Sequence, residues 1–169
     1  MRSDLDAFLD EGPPRGLAAE NVKGLSLGAK LLLASGFLLF FSLFLTWQNL
    51  EIDYGRTGTG TLMLDGFDLF GLVIGFLTLG LLTFVVVVKL YDADVAPEAA
   101  EIVTVVLAAV IFGLALAKNL TDRNSAWASY VGVVLAATVV LGALLDWASE
   151  QIGRNAVPRR RRRRIRSIF

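Results

Sequence analysis

Four long apolar runs, at 31–45, 69–88, 102–117 and 126–145, constrain this chain more than any other feature. A hydrocarbon core about 30 Å thick needs about 20 residues of helix, and each run reaches roughly 17 to 25 once its flanking Ala, Gly, Thr and Trp residues are counted. A soluble domain of 169 residues has no interior large enough to bury all four. The fold class expected is therefore an all-α membrane protein, a four-transmembrane-helix bundle with a short external β-hairpin between helices 1 and 2. The first run alone, rich in Leu and Phe, favours insertion by about 3 to 6 kcal/mol. Polar and acidic residues precede it and no small-x-small site follows it, so it reads as a span and not as a cleaved signal.

What the chain lacks narrows function further. It has no cysteine and no histidine. A disulfide framework, a thiolate metal site and a Cys nucleophile are excluded, and zinc, haem and neutral-pH proton shuttling lose their commonest ligand and base. Transport usually leaves a trace inside the membrane, as a buried ionisable residue or a Pro-broken helix, and none of the four runs carries either. The polar positions within them are Ser35, Ser42, Thr78, Thr83, Thr104 and Thr138, each able to bond back to its own helix. No enzyme activity, catalytic residue, cofactor or metal site is expected. Glu51, Asp53, Asp65 and Asp68 gather near the hairpin but match no calcium-loop spacing. Gly55, Gly58 and Gly60 lack the Lys and helix start of a phosphate loop.

Net charge is zero, yet the charges are sorted along the chain. Arg154, Arg159, Arg160, Arg161, Arg162, Arg163, Arg164 and Arg166 form a basic tail behind an acidic body. With an even number of spans both termini share a side. That side holds Arg2, Arg15, Lys23, Lys30, Lys89 and the tail, against Arg56, Lys118 and Arg123 on the other. The excess of Lys and Arg puts both termini in the cytoplasm of a cell-membrane protein. The acidic central loop, with Asp92, Asp94, Glu98 and Glu101, does not reverse this, because acidic residues weigh little in the rule.

The map that follows has a cytoplasmic leader at 1–26, a transmembrane domain at 27–148 and an Arg-rich cytoplasmic tail at 149–169. Helices are expected at about 27–47, 68–91, 97–118 and 126–147. The hairpin is expected at 49–64, because Leu50, Ile52 and Tyr54 alternate with Asn49, Glu51 and Asp53 before a Gly-rich turn. Asp68 is a natural N-cap for helix 2, and Pro97 and Glu98 suit the first turn of helix 3. Trp47, Tyr91, Trp127, Tyr130 and Trp147 fall at the ends of the spans, where aromatic rings anchor at the interface. Gly71 and Gly75, Ala109 and Gly113, and Gly132 and Ala136 make small-xxx-small steps that let helices pack closely within the bundle or across an oligomer seam.

The tail has three possible partners: the anionic inner leaflet, an acidic protein surface, or nucleic acid. No aromatic residues interleave the arginines to stack bases, so nucleic acid is not expected. Trp47, a β segment leading into Gly66, Phe67 and Asp68, and a last span opening with Ala128, Ser129, Tyr130 and Val131 and running through Gly142 resemble a loose group of small bacterial four-helix membrane proteins. The preponderance of Arg over Lys points the same way. That group implies no activity to carry over. In architecture alone the chain is similar to claudin-like proteins, whose paired external cysteines it lacks. The expectation is an accessory or scaffolding subunit of a membrane complex, partnered by protein or by its own copies. A small oligomeric transporter or channel, and envelope sensing or adhesion through the hairpin, are the alternatives.

Overall fold

A computed structural model of the chain describes residues 24–53, 55, 59–66, 68–91, 95–122 and 124–156. Within them run α1 (Leu27–Ser42), β1 (Thr46–Asp53), β2 (Thr59–Asp65), α2 (Leu69–Leu90), α3 (Pro97–Thr121) and α4 (Trp127–Ala156). Each helix packs against the next, and α4 closes the ring on α1 through the most extensive seam. The result is a four-helix bundle with a two-stranded antiparallel hairpin between its first two helices, as the hydropathy pattern requires.

Local chemistry explains where the elements start. Ser26 caps α1 by accepting from the Ala29 amide at 2.9 Å, and Asp68 caps α2 by accepting from the Gly71 amide at 2.8 Å. Each carboxylate or hydroxyl satisfies an amide that the first turn leaves without a partner. Pro97 opens α3, where its missing donor costs nothing. Within the helices Ser35, Ser42, Thr78, Thr104 and Thr138 each donate to a carbonyl three or four residues back.

Three helix boundaries differ from the sequence map. Helix α1 stops at Ser42 and not near residue 47. Its last turn tightens, with the amides of Leu43, Phe44 and Leu45 bonding to Phe40, Phe41 and Ser42. The Trp47 indole then donates to the Ser42 carbonyl at 2.7 Å, and the Gly66 amide to the Leu43 carbonyl at 2.8 Å. All four terminal carbonyls are thereby satisfied, so the chain can leave the helix and enter β1 without cost. Helix α3 runs on to Thr121, and α4 runs past residue 147 to Ala156. Polar residues prolong α4 because Glu150 and Arg154 find charged partners on α2 and α3.

The hairpin begins earlier than expected, at Thr46, and pairs Gln48 with Leu64 through Asp53 with Thr59. Its register shifts between Thr46 and Gln48, which makes Trp47 the extra residue of a bulge. Such an insertion re-aims one side chain. Here it turns the indole into the bundle, where Trp47 is fully buried beside Gly132, whose added Cβ would collide with the ring. Trp47 is therefore a core residue and not the wet interface anchor that its place in the sequence implied. On its other side β1 is held by the α3–α4 connection: Gln48 bridges Ser125, Asn49 donates to Asn124 and Ala126 donates to Trp47.

The core fills with Leu32, Leu39, Leu43, Ile74, Leu81, Ile111 and Val139, together with Ala108, Ala115, Ala136 and Ala143. Alanine on α3 and α4 permits short interaxial distances. Helices α1 and α4 approach backbone to backbone: a Cβ on Gly142 would lie 2.6 Å from the Leu32 nitrogen, and one on Gly28 would lie 2.7 Å from the Gly142 carbonyl. Gly28 and Gly142 thus form the close seam. Of the small residues expected to pack, Gly71, Gly75, Gly132 and Ala136 are buried, whereas Ala109 and Gly113 sit on the outer surface, with nothing within 4 Å of an added Gly113 Cβ. The same four-residue step can face either way, and helix rotation puts Ala108, Ile111 and Ala115 inside instead.

Candidate functional site

The ionisable side chains of the bundle gather at its two ends, leaving an apolar middle. At the hairpin end Lys118, near the close of α3, is 1% exposed. Its ammonium pairs with Asp68 of the α2 cap and lies 3.1 Å from Asp122. It also sits 5.8 Å from the centroid of the Trp47 ring, within cation–π range. Two carboxylates and an aromatic face replace the water that the lysine has lost, which is the condition for burying a charge. Beside this cluster Asn119 donates to Ser129, and the Ser125 hydroxyl donates to the Asn119 carbonyl at 3.1 Å. The hairpin, the α3–α4 turn and the start of α2 are tied to one lysine.

At the opposite end the charges come from three helices and the α1 cap. Lys89 of α2 pairs with Glu150 and lies 3.1 Å from Asp146, both on α4. The Ser26 hydroxyl donates to the other Asp146 oxygen. Arg154 forms a two-pronged pair with buried Glu101, both contacts at 2.7 Å. A cavity of about 190 Å³ lies among α2, α3 and α4, walled by Lys89, Glu101, Thr104, Asp146 and Glu150 and by apolar side chains such as Val85 and Ala100. A second hollow of about 380 Å³, between α1, α2 and α4, shares Lys89, Asp146 and Glu150. The Lys89–Asp146–Glu150 cluster is the partition between them.

The arrangement ties the helices together at both ends. Each of these carboxylates is matched to a cation or a hydroxyl, and no Ser, Thr or Lys stands beside an imidazole or thiolate, since the chain has neither. Among the described residues no group of three or more Asp or Glu side chains is placed to hold a metal ion. The buried acids Glu101 and Asp146 and the buried Lys118 were not singled out by hydropathy. Their one sequence signal is a charge just beyond an apolar run, at a helical spacing that faces a neighbour.

Arg154, counted with the tail, belongs to α4 and is engaged by Glu101. Arg159, Arg160, Arg161, Arg162, Arg163, Arg164 and Arg166 lie outside the described residues. Tyr91 and Trp147 are exposed at the same end of the bundle as Arg154, and Trp127 and Tyr130 are exposed at the hairpin end.

Helices α2, α3 and α4 are each long and apolar enough to cross a membrane. Their outer faces carry Phe76, Val106, Val134 and Leu141, all more than half exposed, a surface that water would not tolerate. The chain is a membrane protein. No protein-family model, curated protein or solved structure matches it.

Proposed function

We propose that this is a non-enzymatic protein that crosses the cell membrane four times, with both termini in the cytoplasm, and serves as an accessory or scaffolding subunit of a membrane complex. Its arginine tail grips anionic lipid of the inner leaflet or an acidic face of a partner. In this reading α1, only 16 residues long, completes its span with the apolar turn at 43–45.

The observation that carries the reading is the closure of both ends. Lys118 with Asp68 and Asp122 ties one end, Lys89 with Asp146 and Glu150 and Arg154 with Glu101 tie the other, and between them the core is apolar. The five hydroxyls that bond back to their own helices offer no polar ladder to a solute. A bundle tied by ion pairs at both ends around an apolar core fits a structural part better than a conduit. The cation excess on the side of the termini supports the orientation.

Co-purification from native membranes, with and without residues 158–169, tests the proposal. Loss of the tail is expected to weaken association with whatever is attached, and the full chain should lose the same association as salt rises. Undiminished association of the truncated chain at low salt would contradict it.

A further inference from the structure

The hairpin has one edge taken and one free. The Asn49 amide donates to the Asn124 carbonyl at 3.1 Å and the Ala126 amide to the Trp47 carbonyl at 2.7 Å, so the odd-numbered residues of β1 turn their N–H and C=O groups towards the α3–α4 turn. Backbone groups alternate along a strand, so Gln48, Leu50 and Ile52 face β2 and bond to their opposites Leu64, Leu62 and Gly60. Thr61 and Met63 then point their N–H and C=O groups away from β1, and no backbone group among the described residues receives them. Both residues are exposed, Met63 by 69%. From Thr59 to Leu64 the strand has no charge, no proline and no bulge, the devices by which sheet edges avoid pairing. The same alternation sorts the side chains: Asn49, Glu51, Thr61, Met63 and Asp65 share one face, and Leu50, Ile52, Leu62 and Leu64 share the other. Glu51 is exposed and has no cation paired with it among the described residues.

We infer that the free edge of β2 receives an extended segment of a partner protein in which basic and apolar residues alternate, added antiparallel as a third strand. Main-chain bonds to Thr61 and Met63 supply the attachment, and the two faces of the sheet supply the selection. An added strand lies about 10 Å from β1, two strand spacings away. A lysine on it opposite Thr61 reaches across that short side chain to the Glu51 carboxylate, while the alternate residues fall beside Leu62 and Leu64. The pattern also tells a basic partner from a second copy of this chain. A second β2 carries no basic residue, so self-pairing would leave Glu51 unmatched. This site is separate from the arginine tail and stands whichever way the chain is threaded.

The full-length chain in detergent, titrated with a fluorescently tagged peptide of alternating lysine and valine and read by anisotropy, tests the inference. Two twins of the same charge carry N-methyl groups on the lysine amides or on the valine amides. In an antiparallel third strand the lysines stand opposite Thr61 and Met63 and exchange the hydrogen bonds. Lysine methylation should therefore weaken binding about tenfold or more, and valine methylation should leave it unchanged. Met63→Pro removes an outward N–H without touching the β1–β2 ladder, and should weaken the parent peptide to the same degree at an unchanged unfolding midpoint. Glu51→Gln should weaken it about threefold, as befits one exposed ion pair. Any other ranking of the two methylated twins, or undiminished binding to Met63→Pro or to Glu51→Gln, overturns the inference. So does a dimer of the peptide-free chain that Met63→Pro dissociates, which would give the edge to a second copy.

Discussion

Adding a single methyl group at Gly28 should loosen the bundle, although alanine is the better helix former. Gly28 lies in the first turn of α1, facing α4. A Cβ there would press on the Asp146 amide nitrogen and come within 2.8 Å of the Asp146 Cα and 2.7 Å of the Gly142 carbonyl. Carbon contacts settle at about 3.5 to 4.0 Å, so α4 must withdraw by about 1 Å. All the opposing atoms are backbone, and no side chain can rotate away. A gap of that size forfeits a quarter to a half of each contact across the seam, where Leu32, Leu39 and Val139 are fully buried. Overpacking of this kind costs about 1 to 3 kcal/mol. The propensity gain offsets at most about 1 kcal/mol and less in a first turn. The net loss expected for Gly28→Ala is about 1 to 2 kcal/mol, a fivefold to thirtyfold fall in the folded-to-unfolded ratio. Gly80→Ala and Gly113→Ala are the controls, because nothing lies within 4 Å of either added Cβ. Both should be neutral or slightly stabilising. Denaturant unfolding in matched detergent micelles, followed by tryptophan fluorescence, reads the difference. Equal midpoints for Gly28→Ala and Gly113→Ala would refute the backbone seam.

Removing the buried indole with Trp47→Ala should cost about 3 to 5 kcal/mol, while Trp47→Phe, which forfeits chiefly the hydrogen bond to Ser42, should cost about 1 kcal/mol, both measured by the same unfolding. Lys118→Met strands Asp122, which is 14% exposed, and should destabilise by about 2 to 3 kcal/mol, below the usual figure for a broken buried pair because Asp68 is 45% exposed and stays hydrated. A second change, Asp122→Asn, should recover part of that loss; if it deepens the loss, the ion pair is not what Lys118 contributes. Glu101→Ala should release Arg154 and raise amide exchange at 150–156 while leaving 130–145 unaltered, a result that uniform protection in both segments would contradict.

Much of the architecture is written in hydropathy, because burying apolar surface in lipid is a local demand that each run meets alone. The four runs, the period-two pattern before the Gly-rich turn, the Asp68 cap and the hydroxyls bonded to their own helices are all local in this sense. The ends of the helices are not. Residues 150–154 continue α4 because Lys89 and Glu101, distant in sequence, receive their charges. Trp47 turns inward because a bulge in β1 adds one residue, and a bulge leaves no hydropathy signature. The small residues show the same limit. Gly113 and Ala109 repeat at the packing step, yet Gly28 and Gly142, 114 positions apart, make the close contact, and only the relative rotation of α1 and α4 decides it. Buried charges such as Lys118 read as solvated ends until the hairpin folds over them.

The proposed threading, four crossings with the hairpin outside and both termini inside, sets opposite exposures for two surface positions. The chain has no native cysteine, so Met63→Cys on β2 and Ile152→Cys near the end of α4, each about 70% exposed, report without background. A membrane-impermeant maleimide added to intact cells should label position 63 and leave position 152 unmodified until the membrane is opened. Labelling of position 152 in sealed cells, or protection of position 63, would contradict the threading and everything assigned to the arginine tail.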